Sequence, residues 1–288
     1  MSATILDGKA LSRSIRDQLK VRVDALRSRG VTPRLDVLVA SQDPSSLAYV
    51  NMKHKWAAEL GMTGQAYYVD SSWSQSQLID KIRELNENPE VHGVLIQHPL
   101  PSHLDEHEAL LTLGSQKDVD GITPQSLGRL TADLPGFRCA TPLGIIKILE
   151  HYNLDVTGRR ALVIGRSVIL GKPAALMLLQ KNATVTIAHS KTQSLPELCR
   201  EADVVVAAIG RPEYVKGDWI KPGAIVIDAG YSKVEGRKGD VGDVEFETAQ
   251  QVAGYITPVP GGVGPMTVAS LLSNCVEAAE KAMTPARV

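Results

Sequence analysis

The chain has 288 residues, 43% hydrophobic and 22% charged, the composition of a globular protein with room for one large domain or two ordinary ones. With 31 Lys plus Arg against 32 Asp plus Glu it lacks the basic balance that nucleic acid demands, and collagen, coiled-coil and disordered chains are excluded as well. No apolar run reaches the ~18–20 residues of a membrane span, MSATILDGKA is not a basic-then-apolar leader, and Cys139, Cys199 and Cys275 stand far apart without a CxxC, so a reduced, cytoplasmic protein is expected.

Leu11, Ile15, Leu19, Val23 and Leu26 recur at helical spacing and predict a helix over Lys9–Arg29. Strands are expected at Val37–Ala40, Ala66–Val69 and Val94–Gln97, with helices at Ser45–Leu60, Ser74–Asn88 and Leu104–Leu113. The stretch TADLPGFRCATP breaks the pattern with two prolines and a glycine and places a boundary between Thr131 and Thr141. Beyond it come helix Gly144–His151, strand Ala161–Ile164, helix Pro173–Gln180, strand Val185–Ala188, helix Leu195–Glu201, and strands Val204–Ile209 and Ala224–Ile227. A Pro/Gly-rich tract, ITPVPGGVGP, leads into a last helix, Met266–Ala282, with Pro265 near its first turn. Several strands are apolar on both faces, as in parallel sheets covered by helices. The order αβαβαβ and then βαβαβ predicts an α/β protein with two doubly wound domains.

The run ALVIGRSVILGKPAALMLL reads strand, glycine turn, helix. Gly165 and Gly171 form a G-x5-G pattern, in the context where helix amides and dipole hold a pyrophosphate. An ordinary tight turn without a ligand is the alternative. NAD sites usually carry an acid about 20 residues beyond the first glycine. Here no Asp or Glu occurs between Gly165 and Glu197, and Arg166, Ser167, Ser190 and Lys191 stand there instead, which predicts NADP over NAD.

Chemistry-bearing residues follow the strands of the first half. Tyr49 and Lys53 lie at i,i+4 on one helix face, with His54 and Lys55 nearby, and a desolvated lysine beside a phenol can transfer protons. Gln97 ends a strand, where its amide can hold the lysine or a substrate heteroatom. Asp118 and Asp120 sit in the polar turn KDVDG, and a carboxylate there suits the edge of an amino-pyrimidine. Taken singly, each has an ordinary explanation as amphipathic surface or turn. HLDEHE brings His103 and His107 to i,i+4 but is not HExxH; it reads as a helix start, and no metal is expected. His189 reads as a pocket wall.

YVNMK, GVLIQHPLP, KDVDG, IGRSVILGKP, KPGAIVIDAG and ITPVPGGVGPMT occur in the order and spacing of the bifunctional methylenetetrahydrofolate dehydrogenase/methenyltetrahydrofolate cyclohydrolase family (FolD type), which the chain resembles from about Gly8 to Glu280. The resemblance implies oxidation of 5,10-methylenetetrahydrofolate with NADP and hydrolysis of the methenyl product to 10-formyltetrahydrofolate in one cleft between two domains. It implies a folate-binding catalytic domain at 1–139 plus 266–288, a Rossmann-type NADP-binding domain at 140–265, and a homodimer joined through the latter. By match to the family motifs, Lys53 is the acid/base group, Tyr49 packs on the folate, Gln97 holds Lys53 and Asp120 binds the pterin. Pro258, Gly261 and Gly262 belong to the loop touching folate and nicotinamide, and Ile209 and Gly210 join Gly165, Arg166, Ser167, Gly171, Ser190 and Lys191 on the cofactor side. The chain departs from the family pattern at His98, where Leu is common, at Cys139-Ala140 for Pro-Cys, and at Val168-Ile169-Leu170. A monofunctional relative of the same family, or a non-catalytic NADP sensor, remains an alternative.

Overall fold

A computed structural model of the chain describes residues 2–39, 44–236 and 239–283; for residues 44–49 it describes the backbone. In chain order the elements are β1 (Thr4–Ile5), α1 (Gly8–Ser28), β2 (Leu35–Val39), α2 (Pro44–Leu60), β3 (Ala66–Tyr68), α3 (Gln75–Glu87), β4 (Gly93–Gln97), α4 (Glu106–Thr112), α5 (Pro124–Thr131) and α6 (Ala140–His151). There follow β5 (Arg160–Ile164), α7 (Gly171–Gln180), β6 (Thr184–Ala188), α8 (Leu195–Glu201), β7 (Val204–Ala207), β8 (Ile225–Asp228), β9 (Ser232–Lys233), β10 (Asp240–Val241), α9 (Phe246–Ala249), β11 (Tyr255–Ile256) and α10 (Val263–Met283).

The chain divides into two compact units, 15–140 with 270–288 and 1–14 with 141–269, and the division falls inside α1 and α10. The expected partition, 1–139 plus 266–288 against 140–265, is drawn differently from this division at its edges. The first fourteen residues group with the 141–269 unit because β1 pairs in parallel with β11, Thr4 opposite Tyr255 and Ile5 opposite Ile256. The last crossover lies after Ala269 rather than after Pro265.

In the 15–140 unit, β3, β2 and β4 form a parallel sheet in that order. Every residue of β2 is buried, as two-sided cover by helices requires. That includes Asp36, which the expected strand, beginning at Val37, did not contain. Its carboxylate accepts from Arg34 Nε and Nη2 at 2.9 Å each, from the Gln65 amide at 3.0 Å and from the Tyr67 hydroxyl at 3.2 Å, tying β2 to β3. These bonds hold the Arg34 guanidinium above its ordinary pKa. A capping box starts α3, with Ser74 Oγ accepting from the Gln77 amide and Gln77 Oε1 from the Ser74 amide. The helix then turns Leu78, Ile79, Ile82 and Leu85 to the core. Helix α5 was not anticipated, although Thr123 at its N-cap and Pro124 in its first turn are the usual start signal.

In the 141–269 unit six parallel strands run β1-β11-β8-β7-β5-β6. From β5 the chain goes outward to β6 and then returns to the other side of β5 for β7 and β8. This reversal is the topological switch point, and open α/β sheets bind ligands beyond the strand ends there. Strand β7 stops at Ala207, two residues short of the expected end, because the amides that follow turn to a side-chain carboxylate, described below.

Removing Arg34 strands a buried Asp36 carboxylate. Arg34→Met is expected to lower the unfolding free energy of the 15–140 unit by about 3 kcal/mol, the low end for breaking a buried ion pair, because the guanidinium keeps some contact with water. Urea titration in a Trp219→Phe background, where Trp56 and Trp73 report on this unit, measures it.

Candidate active site

In the 15–140 unit the polar groups gather at the C-terminal end of the sheet. Lys53 lies on α2, only 7% exposed, and its Nζ donates to Gln97 Oε1 at the end of β4 over 2.8 Å. Burial pushes the Lys53 pKa below lysine's ordinary value, and the negative charge of Asp120 opposes that shift. The Tyr49 side chain lies outside the described residues; its backbone is one turn of α2 before Lys53. His54 is partly buried, with its ring held toward the neutral form by burial. Lys55 is exposed, since two residues along a helix turns a side chain about 200° away, and it does not join the cluster.

The turn KDVDG separates two aspartates by role. Val94 and Asp118 bridge in parallel register, with the Val94 amide donating to Lys117 O over 2.8 Å, so the segment rises beside β4 and carries Asp120 toward the end where Gln97 sits. Asp118 is fully buried and accepts from the amides of Gly121, Ile122 and Thr123 at 2.9, 3.3 and 2.9 Å. Asn274 Nδ2 on α10 secures the turn by donating to Val119 O and Arg138 O. Asp120 is thereby left as the carboxylate available to a ligand. Burial raises its pKa, the Lys53 charge opposes, Asp118 adds to the rise and His98 opposes it.

His98 directly follows Gln97, and its Nδ1 lies 2.9 Å from Glu106 Oε1. Burial pushes the Glu106 carboxyl up, but His98 and the Leu100 amide outweigh it and leave the group below its ordinary range. His103 Nε2 is 3.1 Å from Trp73 O, and Asp105 caps α4 through the His107 and Glu108 amides, so HLDEHE builds a helix start. No group of three or more His, Cys, Asp or Glu among the described residues is placed to hold a metal. Cys139 is buried and donates to Gly121 O; burial raises its thiol well above the ordinary range. A cavity of about 580 Å3 opens in this unit beside His92, at the other end of β4. Its cations are already engaged, Lys117 by Leu85 O and Asn88 O, Arg129 by Pro135 O, and Lys281 by Glu277.

In the 141–269 unit the glycine turn stands at the switch point. Gly165 has φ +134°, and a Cβ there would meet Ala208 O at 2.2 Å; one on Gly171 would meet Gly165 O at the same distance. The turn from β5 into α7 therefore packs backbone on backbone against the end of β7. Leu170 at the N-cap of α7 offers no side-chain acceptor, and Arg166 and Ser167 are exposed beside this helix start. Ser190 and Lys191 are exposed after β6, where no acid stands; the His189 ring accepts from the Lys191 amide and shapes that turn. Ile209 and Gly210 follow β7, with Ile209 packed partly against the core. Pro258, Gly261 and Gly262 form the loop into α10, closed by the Gly262 amide on Pro258 O at 2.8 Å and tied to α1 by the Lys9 amide on Gly261 O at 2.8 Å. A glycine turn into a helix start, a cation beside it and no acid at the end of the next strand fit a dinucleotide carrying an extra phosphate, with Ser167 already receiving the Gly171 amide through Oγ and the Lys172 amide through its carbonyl. Sequence reasoning singled out neither Asp228 and Asp243 in this unit nor Asp36 and Asn274 in the other. All four are buried polar groups in otherwise apolar or turn-like contexts, and only their partners reveal them.

Two family models match the chain. The tetrahydrofolate dehydrogenase/cyclohydrolase catalytic domain matches residues 6–120, and the NAD(P)-binding domain of the same family matches residues 139–283. The bifunctional protein FolD 2 of Geobacter sulfurreducens is 49% identical over 280 residues, which is 97% of this chain and 98% of its own. The crystal structure of the bifunctional FolD enzyme from Campylobacter jejuni is similar with a TM-score of 0.95 at 42% identity, covering 97% of this chain and 99% of that one. FolD of Trypanosoma brucei, solved with NADP cofactor and inhibitor, has a TM-score of 0.92 at 35% identity and 98% coverage of both chains.

A methyl on Gly171 has only backbone to move against. Gly171→Ala is expected to open the turn and weaken dinucleotide binding about tenfold or more, as loss of one charge-assisted contact would, read by calorimetric titration.

Proposed function

The chain belongs to the tetrahydrofolate dehydrogenase/cyclohydrolase family, and from that premise we propose how its residues divide the work. The enzyme oxidises 5,10-methylenetetrahydrofolate to 5,10-methenyltetrahydrofolate with NADP and hydrolyses the product to 10-formyltetrahydrofolate. In our reading the 15–140 unit binds folate, and the 141–269 unit binds NADP over its switch point.

The observation that carries the assignment is the buried Lys53 amine held 2.8 Å from Gln97 Oε1 within the field of Asp120. NADP, when bound, supplies the hydride acceptor. Oxidation leaves a cation delocalised over two nitrogens of the folate, so the protein's task in that step is placement. Hydrolysis needs a proton taken from the attacking water, and a lysine with a lowered pKa presents the neutral amine that can take it. Gln97 accepts one N–H of Lys53 and so fixes the direction of the remaining positions. Asp120 accepts the paired N–H groups of the pterin edge, and Tyr49 packs on the folate. Pro258, Gly261 and Gly262 contact folate and nicotinamide. Arg166, Ser167, Ser190 and Lys191 take the phosphates, while Gly165, Gly171, Ile209 and Gly210 line the dinucleotide.

We further propose a homodimer joined through the 141–269 unit, supported by Leu179 and Ile187, 57% and 42% exposed on α7 and on the edge strand β6. A cytoplasmic setting is supported by three buried cysteines that are all free thiols. Among the described residues no helix is long and apolar enough to cross a membrane.

Lys53→Met is expected to cut hydrolysis about 10²–10⁴-fold, followed by the absorbance of the methenyl substrate. A buried ammonium costs stability below its folded pKa, and the cost fades as pH rises toward lysine's ordinary 10.5, so this variant should not melt earlier at neutral pH. Hydrolysis by the wild type should rise with pH through an inflection below 10.5. Asp120→Asn removes the charge that supports the ammonium, and the inflection should move lower still. Arg166→Ala should weaken NADP roughly ten- to a hundredfold and NAD far less, since only NADP carries the phosphate a guanidinium fork would bind. Equal losses for both dinucleotides count against the assignment.

A further inference from the structure

Beyond Ala207 the chain leaves the sheet, and three successive amides converge on one carboxylate. The Ile209 and Gly210 amides donate to Asp243 Oδ2 at 2.6 and 2.9 Å, and the Arg211 amide donates to Oδ1 at 2.8 Å. Asp243 has no exposed surface. It is held in turn by a second buried carboxylate: the Asp243 and Gly230 amides donate to Asp228 Oδ1, and the Val244 amide to Asp228 Oδ2, each at 2.9 Å. Asp228 sits at the end of β8, its amide donating to Thr257 Oγ1 at 2.7 Å. Two glycines make room, for a Cβ on Gly230 would stand 2.3 Å from Asp243 Cγ and one on Gly242 would stand 2.0 Å from Asp228 Oδ2. Neither carboxylate forms an ion pair among the described residues. Backbone amides are therefore what stabilises two buried acids, and the cost of burying them is high.

An asparagine at position 243 could not replace the carboxylate. Its single oxygen serves one side of the clamp, while its NH2 would face an amide N–H. The loop so held is the wall of the switch point opposite the glycine turn, with Ala208 O packed against Gly165. We propose that Asp243, anchored by Asp228, is a positioning residue for the nicotinamide dinucleotide, setting the 209–211 loop that receives it. The inference rests on the cofactor reading of Ile209 and Gly210 given above.

Hydrolysis of methenyltetrahydrofolate consumes no dinucleotide, and it separates this role from general damage. Asp243→Asn is expected to weaken NADPH binding, read by fluorescence titration, roughly ten- to a hundredfold. Hydrolysis measured without dinucleotide should stay within about twofold, an allowance for a small context effect. Asp228→Asn, which keeps the clamp and disturbs only its anchor, should produce a smaller loss of NADPH affinity with hydrolysis retained, and it decides the matter if Asp243→Asn does not fold. Unchanged NADPH affinity in the folded variants, or parallel loss of hydrolysis and binding, overturns the proposal. Ile209→Glu tests the underlying reading separately. If it leaves NADPH affinity intact, the loop is not a cofactor wall; if it weakens binding while the aspartate variants do not, only the positioning role falls.

Discussion

Parallel sheets end in loops whose amides have lost their ladder partners, and at those ends this chain supplies buried carboxylates to receive them. Asp118 takes the amides of Gly121, Ile122 and Thr123, and Asp243 takes those of Ile209, Gly210 and Arg211. Each acid fixes a loop that would otherwise have many conformations, and each fixed loop presents a neighbour with a different task. Asp118 is spent on the turn, so Asp120 is not. The rigidity of both sites is thus an electrostatic property of the backbone, obtained without metal ligation or disulfides in the described structure.

Lys53 shows the same economy with the opposite sign. An amine at 7% exposure is poorly solvated as the ammonium, and Asp120 and Gln97 offset only part of that loss. The net effect is an amine whose pKa lies below lysine's ordinary value, with burial as the cause and Asp120 opposing it. His98, paired with Glu106, lies beside this balance and lowers the tendency of Asp120 to stay protonated. A leucine at that position would leave the pair without that contribution.

The regular elements were legible because apolar periodicity and burial have one cause. The seven expected strands appear, with ends displaced by a residue or two; the central ones, β2, β7 and β8, are buried throughout, while the edge strands β3 and β6 are partly exposed. Two-residue strands such as β1 and β11 carry no period to read, and β1 had to be seen beside Tyr255 and Ile256 before residues 1–14 could be assigned. The cluster proposed to react was legible for a different reason. Lys53 on a helix, Gln97 at a strand end and Asp120 in a turn carry side chains that stand out from their surroundings, and their motifs resemble a known family. Asp36, Asp228, Asp243 and Asn274 were not, since a buried aspartate in LDVLV or GDVGDV looks like a turn or a surface acid until its donors are known.

The first strand has a consequence for how the chain can be cut. β1 supplies the outer edge of a sheet whose other strands lie more than 150 residues later in sequence. A fragment starting at Thr141 would leave β11, only two residues long, with its hydrogen-bonding side bare, and would remove Leu6, which is fully buried. The dinucleotide unit is therefore not a cassette that can be lifted out by one break. Because β1 pairs only with β11, a synthesising ribosome must release the chain through Ile256 before that edge of the sheet can close.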